Sequence, residues 1–225
     1  RAAMGGNDGN TIHIICATQA DDSASYQNMS NAILYYRSQD AGSTFDITEQ
    51  IIPGLDSGSV GVGQSLSVDA YAIAAKGNHV AIGVFAAFND VILLESNDNG
   101  SNWTKTIVHD FPYQGFRDFA INYDSTGRNN PFIETNDASG AIMIDENDEV
   151  HMVWGRLQAY NDPPSPNTYF RRSFLDSLQY YRHGSPGTHS LIANWVDANN
   201  DSLFNNAQSA YGWQSGSILT MPNLS

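Results

Sequence analysis

Positive charge is scarce in this chain. Lys and Arg number 10 against 24 Asp and Glu, for a formal net charge of −14. No basic patch able to neutralise a run of phosphates can be assembled from that set, which excludes nucleic acid as a partner. The same balance opposes docking on anionic membranes. No apolar run approaches the roughly 20 residues of a membrane span, so no membrane insertion is expected. Cysteine is nearly absent. Cys16 stands alone within Ile12-His13-Ile14-Ile15-Cys16, so no internal disulfide forms, and it reads as a small strand residue. Helical periodicity is missing too. No long window keeps apolar residues at i, i+3, i+4 and i+7, although Ser190–Phe204 leaves room for a short helix.

What is present is strand and turn. Aromatics make up 11% and hydrophobics 41% of 225 residues, enough for a packed core. Short β-rich runs open after polar turns at Ile12, Val80 and Val150, roughly 70 residues apart, a spacing that indicates a repeated supersecondary unit. The unit reads as four strands, A to D. In the middle repeat they fall near Ser67–Ala75, His79–Ala87, Val91–Glu95 and Trp103–Val108. In the first repeat strand A is missing, and B, C and D fall near Thr11–Ala17, Ile33–Arg37 and Phe45–Ile51. In the third, A lies near Ala141–Asp145, B near Val150–Trp154, and C at Leu178–Arg182, where Tyr180-Tyr181-Arg182 repeats Tyr35-Tyr36-Arg37.

Two C–D turns share one pattern. Ser38-Gln39-Asp40-Ala41-Gly42-Ser43-Thr44-Phe45 and Ser96-Asn97-Asp98-Asn99-Gly100-Ser101-Asn102-Trp103 both follow an apolar run. The Ser and Asp can bond backbone N–H groups, the Gly can take a positive φ, and the aromatic can pack back under the hairpin. In the third repeat the pattern has decayed to His183-Gly184-Ser185-Pro186-Gly187. Two copies of S-x-D-x-G-x-x-(W/F) between strands resemble Asp-box (BNR) repeats of the sialidase-like superfamily. The resemblance implies an all-β chain, a β-propeller of four-stranded antiparallel blades with about three blades present: a partial blade over 1–51, blades over 67–108 and 139–195, and the start of another over 212–225. Propellers close with about four to eight blades, so the remaining blades are expected from the rest of a longer chain. A β-sandwich is the alternative. Pairing of Ser67–Ala75 with the next strand inside one radial sheet decides between them.

In such blades the A–B and C–D turns lie on one face and the B–C and D–A connections on the other. The long connections Thr18–Ser30, Ile52–Leu66, Asp110–Gly140 and Arg156–Asp176 therefore share a face, the one that holds the ligand in the propellers resembled here. Arg117, Asp118, Arg128, Glu134, Tyr160, Arg171 and Arg172 are the ligand-binding candidates on it, a gathering of cations that suits a carboxylated ligand. The box residues Ser38, Asp40, Gly42, Phe45, Ser96, Asp98, Gly100 and Trp103 are expected to staple hairpins instead. Sialidase chemistry would need an arginine triad, and the early F/Y-R-I-P motif of that family is absent; Phe116-Arg117-Asp118 is a two-residue echo.

Two further motifs complete the reading. Asp197-Ala198-Asn199-Asn200-Asp201 alternates oxygen ligands like the start of a calcium loop, but Ser202 stands where Gly is expected and Gln208 where a closing Glu would be; Asp197, Asn199 and Asp201 are the calcium candidates. Asp-Ser followed by an apolar or small residue resembles the O-glycan acceptor of secreted Bacteroidetes proteins. It marks Ser23, Ser125, Ser177 and Ser202, all expected in loops or at loop edges. The sequence-level expectation is a secreted or cell-surface binding or adhesion module, non-enzymatic as it stands, taking an extracellular glycan or surface protein. The alternative is an exo-glycosidase of the sialidase type.

Overall fold

A computed structural model of the chain describes residues 1–18, 26–60, 66, 70–113, 133–161, 169–184 and 189–194. They form three four-stranded antiparallel sheets, each built from strands consecutive in sequence. Blade 1 holds β1 (Ala2–Gly5), β2 (Thr11–Ala17), β3 (Ile33–Ser38) and β4 (Ile47–Ile51). Blade 2 holds β5 (Tyr71–Lys76), β6 (His79–Val84), β7 (Val91–Ser96) and β8 (Thr104–His109). Blade 3 holds β9 (Ile133–Ile144), β10 (Val150–Asn161), β11 (Tyr169–Arg182) and β12 (Ser190–Asn194). The first strands of the blades, β1, β5 and β9, are neighbours, so the sheets stand side by side around a common inner edge. These are propeller blades. A sandwich is excluded because β5 pairs with β6 inside its own four-stranded sheet. The one helix among the described residues, α1 (Ser57–Val60), is a single turn whose Gly58 and Ser59 N–H groups are capped by Asp56 Oδ1. Among the described residues, no helix is long and apolar enough to cross a membrane.

The period-two strand pattern sorts side chains into two faces, and each blade packs its forward face on the rear face of the next. In the first layer Ile15, Ile33 and Tyr35 of blade 1 meet Ile82, Val84, Ile92 and Leu94 of blade 2. In the second, Ala81, Val91 and Leu93 of blade 2 meet Val150, Met152, Trp154 and Tyr181 of blade 3. Blade 2 is thus covered on both sides. That is why Val91-Ile92-Leu93-Leu94 is an unbroken apolar run rather than an alternating one, and all six residues of β6 are buried.

The structure corrects four expectations. Blade 1 does have its first strand: β1 pairs with β2 through Ala2↔Ile14 to Gly5↔Thr11, and its residues Ala2-Ala3-Met4-Gly5 are too few and too small to show as a β-rich run. Within the segment Arg156–Asp176, residues 156–161 and 169–176 are strand rather than loop. β10 and β11 run on past the blade as a hairpin arm, paired to Asn161↔Tyr169, with a register shift after Arg156. Ser177 therefore lies in a strand, buried, its hydroxyl accepting a hydrogen bond from Gln179 Nε2 at 3.0 Å, where an O-glycan has no room. Finally, Ser190–Asn194 is a strand rather than the start of a helix, because it pairs along β11 from Tyr180↔Ser190 to Ser177↔Asn194.

Candidate functional site

Antiparallel pairing puts the A–B and C–D turns on one face of the blades. There the two Ser-x-Asp-x-Gly turns are built alike. Ser38 Oγ donates to Asp40 Oδ1 and accepts from Gly42 N, both at 2.8 Å. Ser96 does the same with Asp98 and Gly100 at the same distances. Asp98 also accepts the N–H groups of Ser101 and Asn102 and the Asn102 side-chain amide. Asp40 takes Thr44 N and Thr44 Oγ1. These bonds pull both carboxyls down to about 2, the side-chain bond to Thr44 or Asn102 being the largest cause. The aromatics differ. Trp103 packs edge-on to Tyr35 at 5.2 Å, whereas Phe45 is 41% exposed and does not fold back under its hairpin. Trp103 packs against Tyr35 and the layer between blades 1 and 2, whereas Phe45, with no blade described behind it, has no such layer.

The residue before each turn serine reaches forward to the next blade. Arg37 donates to Asn99 O at 2.7 Å and Ser101 Oγ at 2.8 Å, while holding Asp46 of its own blade. Glu95 occupies the same register position in blade 2 and pairs with His183 in the blade-3 turn, with His79 Nε2 3.4 Å from its other oxygen. At the A–B turns, Gly6 N donates to Gly77 O, and Lys76 Nζ donates to Asp145 O and Glu146 O. Asp145, Glu149 and His151 bring ligand atoms within 4.8 Å of one another. Asp145 Oδ1 is taken by the N–H groups of Asn147 and Glu149, and Glu149 accepts from Arg182 at 2.7 Å. The turn face thus spends its polar atoms on holding blades together.

The junction of blades 2 and 3 is different in kind. Phe88 and Phe111 meet edge-on at 6.0 Å, with Tyr113 tilted against Phe111 at 5.9 Å and Leu157 and Ile133 beside them. The loop carrying Phe88 is latched to blade 3: Phe88 N donates to Thr135 Oγ1, and Asn136 Nδ2 donates to Asn89 O. Asp90 sits alongside, accepting Phe111 N at 2.9 Å. Burial raises its carboxyl, helped by the nearby Asp110. Arg156 pairs with Glu134. Burial pushes the guanidinium down. Arg156 also lies within electrostatic reach of His109 and His189, whose rings meet at 5.0 Å. Both imidazoles are lowered by burial first, His109 then by His189 and Arg156, and His189 then by Arg156. Rings, a carboxyl raised by burial and a half-buried ion pair at one seam are the groups a polar, ring-shaped ligand uses.

Of the sequence candidates, Glu134 belongs to this junction, at the start of β9. Tyr160, Arg171 and Arg172 lie on the β10–β11 arm, opposite Phe170, Ala159 and Gln158. Arg117, Asp118, Arg128, the calcium candidates Asp197, Asn199 and Asp201, and Ser23, Ser125 and Ser202 lie outside the described residues. Sequence reasoning did not single out Asp90, His109, His189, Thr135 or Asn136. Asp90 sits two residues after Phe88 at the mouth of β7, and that pairing of ring and carboxylate at a strand mouth was the available signal. The histidines gave none.

No protein-family model matches the chain, and no curated protein matches its sequence. Among solved structures it is similar to an α-L-arabinofuranosidase, CtGH43, from Clostridium thermocellum: 10% identity, TM-score 0.35, covering 87% of this chain and 72% of that one. It is similar to a Trypanosoma rangeli sialidase at 13% identity and TM-score 0.33, over 85% of this chain and 37% of that one. It is also similar to YCF48 bound to a D1 peptide, at 11% identity and TM-score 0.28, over 87% and 60%.

Proposed function

We propose that the chain is a binding module with Asp-box turns, secreted or displayed at a cell surface, that takes a glycan or glycosylated protein on the face opposite those turns. The observation that carries this is the seam between blades 2 and 3. It sets Phe88, Phe111 and Tyr113 beside Asp90 and the Arg156–Glu134 pair. Phe88 and Phe111 are buried and back the half-exposed Tyr113, whose ring can stack on the C–H surface of a sugar, while carboxylate and guanidinium groups bond its hydroxyls or carboxylate. The turn face supports the assignment by contrast, since its carboxylates are already engaged within the protein.

The test is binding to immobilised glycans and to glycosylated cell surfaces, with paired variants. Tyr113→Ala with Arg156→Ala should lower affinity at least about tenfold, or roughly 1.4 kcal/mol. Asp98→Ala should lower the melting temperature by several degrees and leave affinity per folded molecule unchanged. Loss of binding in Asp98→Ala at unchanged stability would place the ligand on the other face. A second reading, exo-acting glycosidase, is favoured by Asp90, whose raised carboxyl has the character of a general acid. Turnover of a fluorogenic sialoside or arabinofuranoside that disappears in Asp90→Asn would establish that reading over simple binding.

A further inference from the structure

The loop end of the seam between blades 2 and 3 holds a carboxylate pair. Asp90 stands directly before β7 and Asp110 directly after β8. Val91 pairs with His109, so the two carboxylates flank one rung of the sheet. Their side chains meet, and Asp110 adds to burial in raising the Asp90 carboxyl. Lys105 opposes that rise, but its ammonium is engaged by Gly54 O at 2.9 Å. Arg156 is spent on Glu134. His109 and His189 are lowered by burial and so are uncharged at neutral pH. Among the described residues, no cation bonds the Asp90–Asp110 pair.

A ring lies close to this pair. Asp90 Oδ1 accepts Phe111 N at 2.9 Å, and the half-exposed Tyr113 ring is tilted against Phe111 at 5.9 Å. A cation set between two carboxylates removes the repulsion between them. An aromatic face attracts an ammonium group and stacks on the C–H surface of the ring that carries it. A metal ion suits the place less. Calcium takes about six to eight oxygens. One Asp90 oxygen is already bonded, and the metal-ligating side chains that converge among the described residues are Asp145, Glu149 and His151, on the turn face.

Resting on the reading of this seam as a glycan site, we propose that its ligand is an amino sugar, with the ammonium group between Asp90 and Asp110 and the sugar ring on Tyr113. The Arg156–Glu134 pair is left for the hydroxyls. A carboxylated sugar would meet Asp90 and Asp110 as like charges. The whole molecule favours the same class, since a net charge of −14 attracts a cationic ligand and repels an anionic one.

The experiment is titration of the 225-residue chain with three oligomers of equal length: β-1,4-linked glucosamine, its N-acetylated counterpart and an oligogalacturonate. It is run at about pH 6, where the amine is protonated, and at roughly 150 mM salt, where long-range attraction is screened. The glucosamine oligomer should bind at least about tenfold more tightly than the acetylated one. Asp90→Asn should erase that difference. Asp110 is exposed, so Asp110→Asn serves where Asp90→Asn disturbs the loop through Phe111. Glu146→Gln removes the same charge from an exposed position on the turn face and should preserve the difference. Tyr113→Ala should weaken the binding of both oligomers. If Tyr113→Ala leaves every affinity unchanged, the seam is not the glycan site and both readings fall. If it weakens binding but the acetylated oligomer or the oligogalacturonate binds best, the seam takes a glycan and the amino-sugar assignment falls alone. The assignment also falls if none of the three binds, or if Glu146→Gln erases the difference as fully as Asp90→Asn does.

Discussion

Gly100→Ala should destabilise the chain by about 3 kcal/mol or more, a drop in melting temperature of roughly 10 °C. Two causes add. Gly100 has φ 81°, where an L side chain is strained by about 1–2 kcal/mol. A Cβ there would also overlap the Tyr35 hydroxyl and stand 2.8 Å from its Cζ, and Tyr35 is fully buried between blades with nowhere to retreat. Gly9→Ala separates the two. Gly9 has φ 72° but nothing within 4 Å of the added atom, so it should lose only the conformational part. Thermal melts of both variants measure the difference. Equal losses would mean that the seam between blades 1 and 2 is loose enough to absorb a methyl group.

Lowering the pH from 6.5 to 4 should remove on the order of 3 kcal/mol of stability through His13 alone. Burial, with Arg37 as a secondary cause, holds this imidazole at about 4, below its ordinary 6.5. The unfolded chain therefore takes up the proton first as pH falls. The stability is complete above 6.5 and is lost on the way down to 4. His109 and His189 are lowered as well and add loss of the same sign. Asp40 and Asp98 act in a separate window. Their carboxyls are held at about 2 against an ordinary 3.8, so their contribution persists until the pH falls below 3.8. Urea unfolding at pH 7, 5.5 and 4.5 checks this. His13→Gln should flatten the dependence between 6.5 and 4. A slope that survives the substitution would remove His13 as its source.

The blades were legible because their signals are local. Apolar runs, the two Ser-x-Asp-x-Gly turns and the Tyr-Tyr-Arg repeat each span a few residues, and each lies within a few positions of the element it marks. Strand β1 was not, since Ala2-Ala3-Met4-Gly5 carries almost no β preference and is a strand only because β2 pairs with it. The strand running through Asp176-Ser177 was hidden because that pair reads as loop punctuation, while the partner strand β10 overrode it. The seam between blades 2 and 3 was hardest. Phe88 with Asp90, His109, Glu134, Arg156 and His189 come from five separate stretches, and nothing in their spacing declares that they meet. His13 and His151 fall in the same register against Arg37 and Arg182, while His79 does not, and only the pairing shows which two correspond.

Blade 2 has a neighbour on each side, while blades 1 and 3 each turn one face to a described neighbour. Loss of structure in this chain is therefore graded by position rather than uniform. The amides of β6 and β7, whose residues are almost all buried, open only when both flanking blades have let go, whereas β4 and β12, outermost in their sheets, can fray while the rest holds. A perturbation at either end of the chain reaches the centre by way of one seam at a time, and the middle blade is the last part of the molecule to register it.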